Sequence, residues 1–148
     1  MRDLRDASGN GPYFESTFEY RADGLYLVNL TATVKLLVFA DTEQLAPPAP
    51  ALLLPTGAAP GYHRELDVPT ASGGVAHLVL DVVRTEKVTG VDTRLFHIVA
   101  TLPGAYNARL DLNVWLGPNS LWRREHVIAD AAFAGITFHS EYDATLRG

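Results

Sequence analysis

The chain has 148 residues and a mass of 16.1 kDa, about one domain, and its 47% hydrophobic and 20% charged residues exclude a disordered polypeptide. A formal net charge of −5 argues against a nucleic-acid surface, and the absence of cysteine excludes disulfides, thiolate catalysis and cysteine-held zinc or iron–sulfur centres. The opening MRDLRDASGNGPYF has no apolar core of the signal-peptide kind, and no apolar run is long enough to span a bilayer. A cytoplasmic protein without membrane contact is therefore expected.

From the N-terminus, Tyr13 to Tyr20 alternates, with Phe14, Phe18 and Tyr20 on one side. Asp23-Gly24 follows, a pair suited to a tight hairpin with positive φ at the glycine. Residues Leu25 to Phe39 carry the longest alternation. Tyr26, Val28, Leu30 and Ala32 fall on one face, and Leu27, Asn29, Thr31 and Thr33 on the other. This predicts one long strand paired with the preceding one. Asn29-Leu30-Thr31 matches a glycosylation sequon by letter, which strand composition explains.

Residues 44–74 break the pattern. The stretch QLAPPAPALLLPTGAAP holds five prolines, which fix φ and cannot donate to a ladder, so a long loop packed by Leu52, Leu53 and Leu54 is expected. A proline-rich docking segment is the weaker reading. Strand patterns resume at Val75–Arg84, Arg94–Leu102, Arg109–Leu116 and Ala132–His139, whereas Leu121–Ala131 reads equally as a strand or a helical turn. No segment shows a sustained helical period. The expected fold is all-β: a single domain over residues 1–148, an antiparallel β-sandwich of jelly-roll type, with a closed barrel as second choice.

The five histidines, His63, His77, His97, His126 and His139, are the most reactive side chains. Of these, His77, His97 and His139 lie in predicted strands and are weak candidates for metal ligands, because no two stand at a close ligand spacing. The expectation is isolated surface or core histidines, with no metal and no cofactor. Asp81 and Asp111 read either as buried acids of a barrel interior or as part of a solvated strand face, the commoner case. No nucleophile elbow and no phosphate-cradling glycine loop is present, so no catalytic residue is assigned. Trp115 and Trp122 flank Gly117-Pro118-Asn119, and together with Tyr106 and Phe133 they are the candidate contacts for a partner or ligand.

Three stretches carry a family likeness: Arg94 to Leu102, then Leu110-Asp111-Leu112-Asn113-Val114-Trp115-Leu116, then Asp130 to His139 with Phe133-Ala134-Gly135 at its centre. They resemble the C-terminal β domain of tyrosinases and polyphenol oxidases over roughly the last third of the chain. The family's copper ligands sit in a separate helical domain, so no catalytic group carries over. The resemblance implies an accessory role: a non-catalytic domain that shields, matures or serves as small subunit to a tyrosinase-type copper enzyme. The alternative is a small barrel that binds a hydrophobic small molecule, as carrier or as cyclase or isomerase, its cavity lined by Tyr26, His77, His97 and Asp111. Self-association stays open.

Overall fold

Side chains that switch sides at every residue commit nearly the whole chain to strands. The computed structural model describes residues 2–3, 11–36, 39–102, 107–118, 121–133 and 135–145. Its strands are β1 (Arg2–Asp3), β2 (Gly11–Arg21), β3 (Gly24–Leu36), β4 (Phe39–Leu45), β5 (Ala51–Pro55) and β6 (His63–Pro69), followed by β7 (Val75–Val88), β8 (Val91–Leu102), β9 (Asn107–Leu116), β10 (Trp122–Phe133) and β11 (Ile136–Thr145). They form a five-stranded sheet in the order β1-β2-β3-β4, with β5 also paired to β3, and a six-stranded sheet in the order β11-β10-β9-β8-β7-β6. All the pairings are antiparallel.

The two sheets share one apolar core and do not close into a barrel, so the all-β sandwich is the fold. The larger sheet is a plain meander of sequential neighbours, not the Greek-key crossing of a jelly roll. Among the described residues, no helix is long and apolar enough to cross a membrane.

Large and small residues alternate across the inner face of the six-stranded sheet. Leu78 lies opposite Ala100, Ala100 opposite Leu110, and Leu110 opposite Ala129. The alanines leave room for side chains such as Leu27, Leu30 and Leu45 of the other sheet, which are buried in the same cluster. Full burial of each such leucine is worth about 1.5–3 kcal/mol.

Several sequence expectations need correction. Leu25–Phe39 is not one strand: β3 ends at Leu36, which pairs with Phe39 at the start of β4. The alternation within β3 is not strict either, because Thr17 pairs with Asn29 but Phe18 pairs with Leu27, leaving Val28 as a bulge. The bulge moves the buried parity from Leu25 and Leu27 to Leu30 and Ala32. Residues 44–74 are not one loop, since β5 and β6 lie within them. Prolines bracket these strands: Pro55 and Pro69 are their last residues, where a missing N–H costs little. Leu121–Ala131 falls almost wholly in β10. Ala132–His139 is a reversal between β10 and β11, with Gly135 at φ 79° in the turn.

One buried carboxylate ties the sheets together. Glu43 of β4 accepts the Ser72 N–H at 3.2 Å in the turn before β7, and Leu45 bridges to Thr70. Burial works to raise the Glu43 pKa, but hydrogen bonds from Ser72 and Thr70 outweigh it and hold the carboxyl below its ordinary value.

Gly24 is needed for space rather than for a left-handed turn. It is the first residue of β3, closes the hairpin opposite Arg21, and is not among the glycines with positive φ. A Cβ there would collide with the Leu54 carbonyl oxygen and Leu52 Cδ1. Gly24→Ala is expected to lower stability by about 1–3 kcal/mol in urea denaturation; a neutral result would mean that β5 does not press on β3 in this way.

Candidate functional site

Polar residues alternate with the buried row on every strand of the six-stranded sheet, and registration aligns them into rows across its outer face. In one row His63 pairs with Asp81, Asp81 with His97, His97 with Asn113, Asn113 with His126, and His126 with Asp143. Another runs Asp67, His77, Thr101, Arg109, Asp130, His139. Between them lies a row of Glu65, Val79, Val99, Asp111, Ile128 and Glu141. All five histidines of the chain therefore share one face.

Each imidazole lies against carboxylates. His63 Nδ1 is 2.7 Å from Asp81 and its Nε2 is 3.3 Å from Glu65. His77 is 2.8 Å from Asp67, His97 is 2.8 Å from Asp111, and His139 is 2.6 Å from Asp130. His126 sits 3.6 Å from both Glu141 and Asp143. Hydrogen bonding to Asp81, then to Glu65, raises the His63 pKa above its ordinary value.

The weak metal candidates His77, His97 and His139 do not converge; each keeps its own carboxylate, and they stand on β7, β8 and β11. Among the described residues, no group of three or more histidines and acids is arranged to hold a metal ion. A His–Asp pair also orients the general base of a hydrolase. Here the pairs lie on an open sheet face, and Asp81 and Asp111 face outward with their histidines.

The two tryptophans point to opposite sides. Trp122 pairs with Leu116 on the inner face, packs at a tilt against Phe18 with ring centroids 5.8 Å apart and donates to the Tyr20 hydroxyl at 3.1 Å. Trp115 is on the outer face yet only 7% exposed, outside the main core. Its indole N–H donates to Glu86, and the Arg124 guanidinium lies 4.7 Å over its ring. Arg124 in turn reaches Asp143 at 2.7 Å and holds that carboxyl below its ordinary pKa. The Trp115 bond, then Arg84, does the same for Glu86. Of the candidate contacts, Trp115 and Trp122 therefore lie on opposite sides of the sheet, and Trp115 is packed rather than presented. Tyr106 lies outside the described residues, as does the side chain of Phe133.

The interior offers little room. The apolar crevice between the sheets, bordered by Phe18, Leu54, Phe96 and Trp122, has a volume of about 20 Å³. Of the residues expected to line a barrel cavity, Tyr26 bonds to Asp23 at 2.6 Å on the five-stranded sheet, and His77, His97 and Asp111 are on the outer face of the other. The larger cleft, about 510 Å³, is an open dent of mixed lining beside the β7–β8 hairpin tip, bordered also by Leu116 and Pro118. Its groups are already paired: Thr93 with the Glu86 carbonyl at 2.7 Å and Lys87 with Asp92 at 3.1 Å.

Alternation alone puts His77, His97 and His139 in strands whose side chains could converge on one face, but it leaves His63 in the expected loop and His126 in the ambiguous stretch, so the face shared by all five is not legible from it. The signal was present as parity: His63, Glu65 and Asp67 alternate with Arg64, Leu66 and Val68. In comparisons with known proteins, no family model, no curated protein and no solved structure matches the chain.

Two outcomes follow. Trp115→Ala should cost about 3–5 kcal/mol of folding stability, as a buried aromatic does; a loss under 1 kcal/mol would return Trp115 to the role of a surface contact. For His63, a folded pKa above the unfolded value of about 6.5 makes its stabilisation complete below that pH and lost as pH rises through the folded value. The Tm gap between wild type and His63→Gln should be present near about pH 6 and close by about pH 9. An unchanged gap would show that the His63–Asp81 contact carries no charge linkage.

Proposed function

We propose that this chain is a non-catalytic docking domain, an accessory component that applies the outer face of its six-stranded sheet to a protein partner. The observation that carries this reading is the gathering of all five histidines and their carboxylates on that one face. Six strands at about 4.8 Å spacing, roughly 30 Å long at the centre, present on the order of 700 Å², close to the roughly 800 Å² per partner of a specific interface. The middle row adds half-buried Val79, Val99 and Ile128 among the charges, a mixture suited to a protein contact.

Charge favours a basic partner. With imidazoles neutral, the carboxylates of Glu65, Asp67, Asp81, Asp111, Asp130, Glu141 and Asp143 outnumber the guanidiniums of Arg109 and Arg124. The resemblance of the last third of the chain makes a tyrosinase-type copper enzyme the partner of choice, with this domain shielding or maturing it. The carrier or isomerase reading is weakened by the interior, because ligand sites take about 300–1,000 Å³ and the crevice between the sheets has about 20 Å³.

The test is co-purification of the full chain with a tyrosinase-type copper enzyme encoded beside it, followed by titration. A complex is expected whose affinity falls with salt and drops roughly tenfold in Glu65→Lys/Asp67→Lys. Failure to form any complex, or a complex indifferent to these substitutions and to salt, would sink the assignment of this face.

A further inference from the structure

The two edges of the six-stranded sheet are treated very differently. The β6 edge is short, seven residues, and ends on Pro69. The β11 edge runs ten residues, ITFHSEYDAT, without proline, lysine or arginine. It pairs with β10 in unbroken register from Phe133–Ile136 to Arg124–Thr145, with no bulge to twist it away. Among the described residues β11 has a ladder to β10 alone; β2 comes near, but no ladder joins them. Long edges of this kind present unpaired N–H and C=O groups to another strand, and proteins ordinarily blunt them. Here Ile136 and Tyr142 are exposed at 45% and 39% on the strand's inner side.

We infer that β11 is the interface through which two copies of this chain associate, antiparallel, joining their six-stranded sheets into one. The strand is self-complementary in the register that sets Ser140 against Ser140 of the second copy. Antiparallel pairing across a two-fold axis keeps residues of like parity together, inner row against inner row. In that register Phe138 meets Tyr142 and Ile136 meets Ala144 on the inner side, while His139 meets Glu141 and Thr137 meets Asp143 on the outer side. Symmetry makes each of these contacts twice. Aromatic pairs and opposite charges directly across are the pairs that favour strand association. Centring the axis on Glu141 instead would set Glu141 against itself, so charge selects the register. His139, 2.6 Å from Asp130 of its own copy, then lies between two carboxylates. The inference is independent of the partner proposed above.

The experiment uses the whole chain, which has no native cysteine to interfere. Sedimentation over a concentration series should give twice the 16.1 kDa mass of the chain. Glu141→Lys, which sets lysine against His139 twice per dimer, should weaken association roughly tenfold without changing the circular dichroism spectrum. Under mild oxidation Ser140→Cys should crosslink efficiently. Thr137→Cys should not, since its two copies lie roughly 20 Å apart in this register, beyond disulfide reach. A chain of single mass at every concentration would overturn the inference. So would a dimer untouched by Glu141→Lys, or crosslinking of Thr137→Cys as readily as Ser140→Cys.

Discussion

The pleat of the six-stranded sheet can bury only one of its two faces, and each strand must choose the same one. On β7 the choice puts Ala76, Leu78, Leu80 and Val82 inside and His77 and Asp81 outside; on β9 it puts Leu110, Leu112 and Val114 inside and Arg109 and Asp111 outside. A slip of one residue in either ladder would exchange these sets. It would expose several leucines and carry carboxylates into an apolar interior, where each unpaired charge costs several kcal/mol. The acidic, histidine-bearing surface and the aliphatic core are two sides of one register.

Bulges edit that register locally, and the outer-face contacts depend on them. Val82 pairs with Phe96 and Arg84 with Leu95, so Val83 is the extra residue, and beyond it Glu86 joins the outer side opposite Thr93. Without that change of parity Glu86 would not meet the Trp115 indole. Trp122 pairs with Leu116 and Arg124 with Trp115, so Arg123 is extra in β10. This lets Trp122 seal the inner crevice while Arg124, two residues on, covers Trp115 from outside. The chain Glu86, Trp115, Arg124, Asp143 thus crosses from β7 to β11 because two strands each carry one residue more than their neighbours need.

These bulges are also where the sequence was hardest to read. Strand content and the antiparallel sandwich were legible from alternation, since β7, β8 and β9 keep parity over most of their length. A bulge leaves no compositional mark, so alternation carries Val28 on as part of a uniform face and gives no sign that Trp115 and Trp122 point to opposite sides. Proline counting misled in 44–74: the composition is loop-like, but prolines at strand ends are compatible with β5 and β6. The site was half legible. Each histidine stood at polar parity within its strand, but their sharing of one face is a product of strand order, which alternation does not encode.

Histidine, rather than lysine, opposite these carboxylates has a physical consequence for a docking surface. A lysine, with a reference pKa near about 10.4, would cancel a carboxylate at every physiological pH, whereas an imidazole, near about 6.5, does so only on the acid side. His63 shows the direction: its bonds to Asp81 and then Glu65 hold its pKa above the ordinary value, so its charge offsets these carboxylates up to a higher pH than a free imidazole would and is lost beyond it. Pairing through β11 sets two such faces side by side on one continuous sheet, because a two-fold axis normal to the sheet keeps both outer sides together. The field a basic partner meets is then the sum of both copies. The edge strand enters that field directly, since His139 and Glu141 belong to the outer rows and are also the charges that select the strand register.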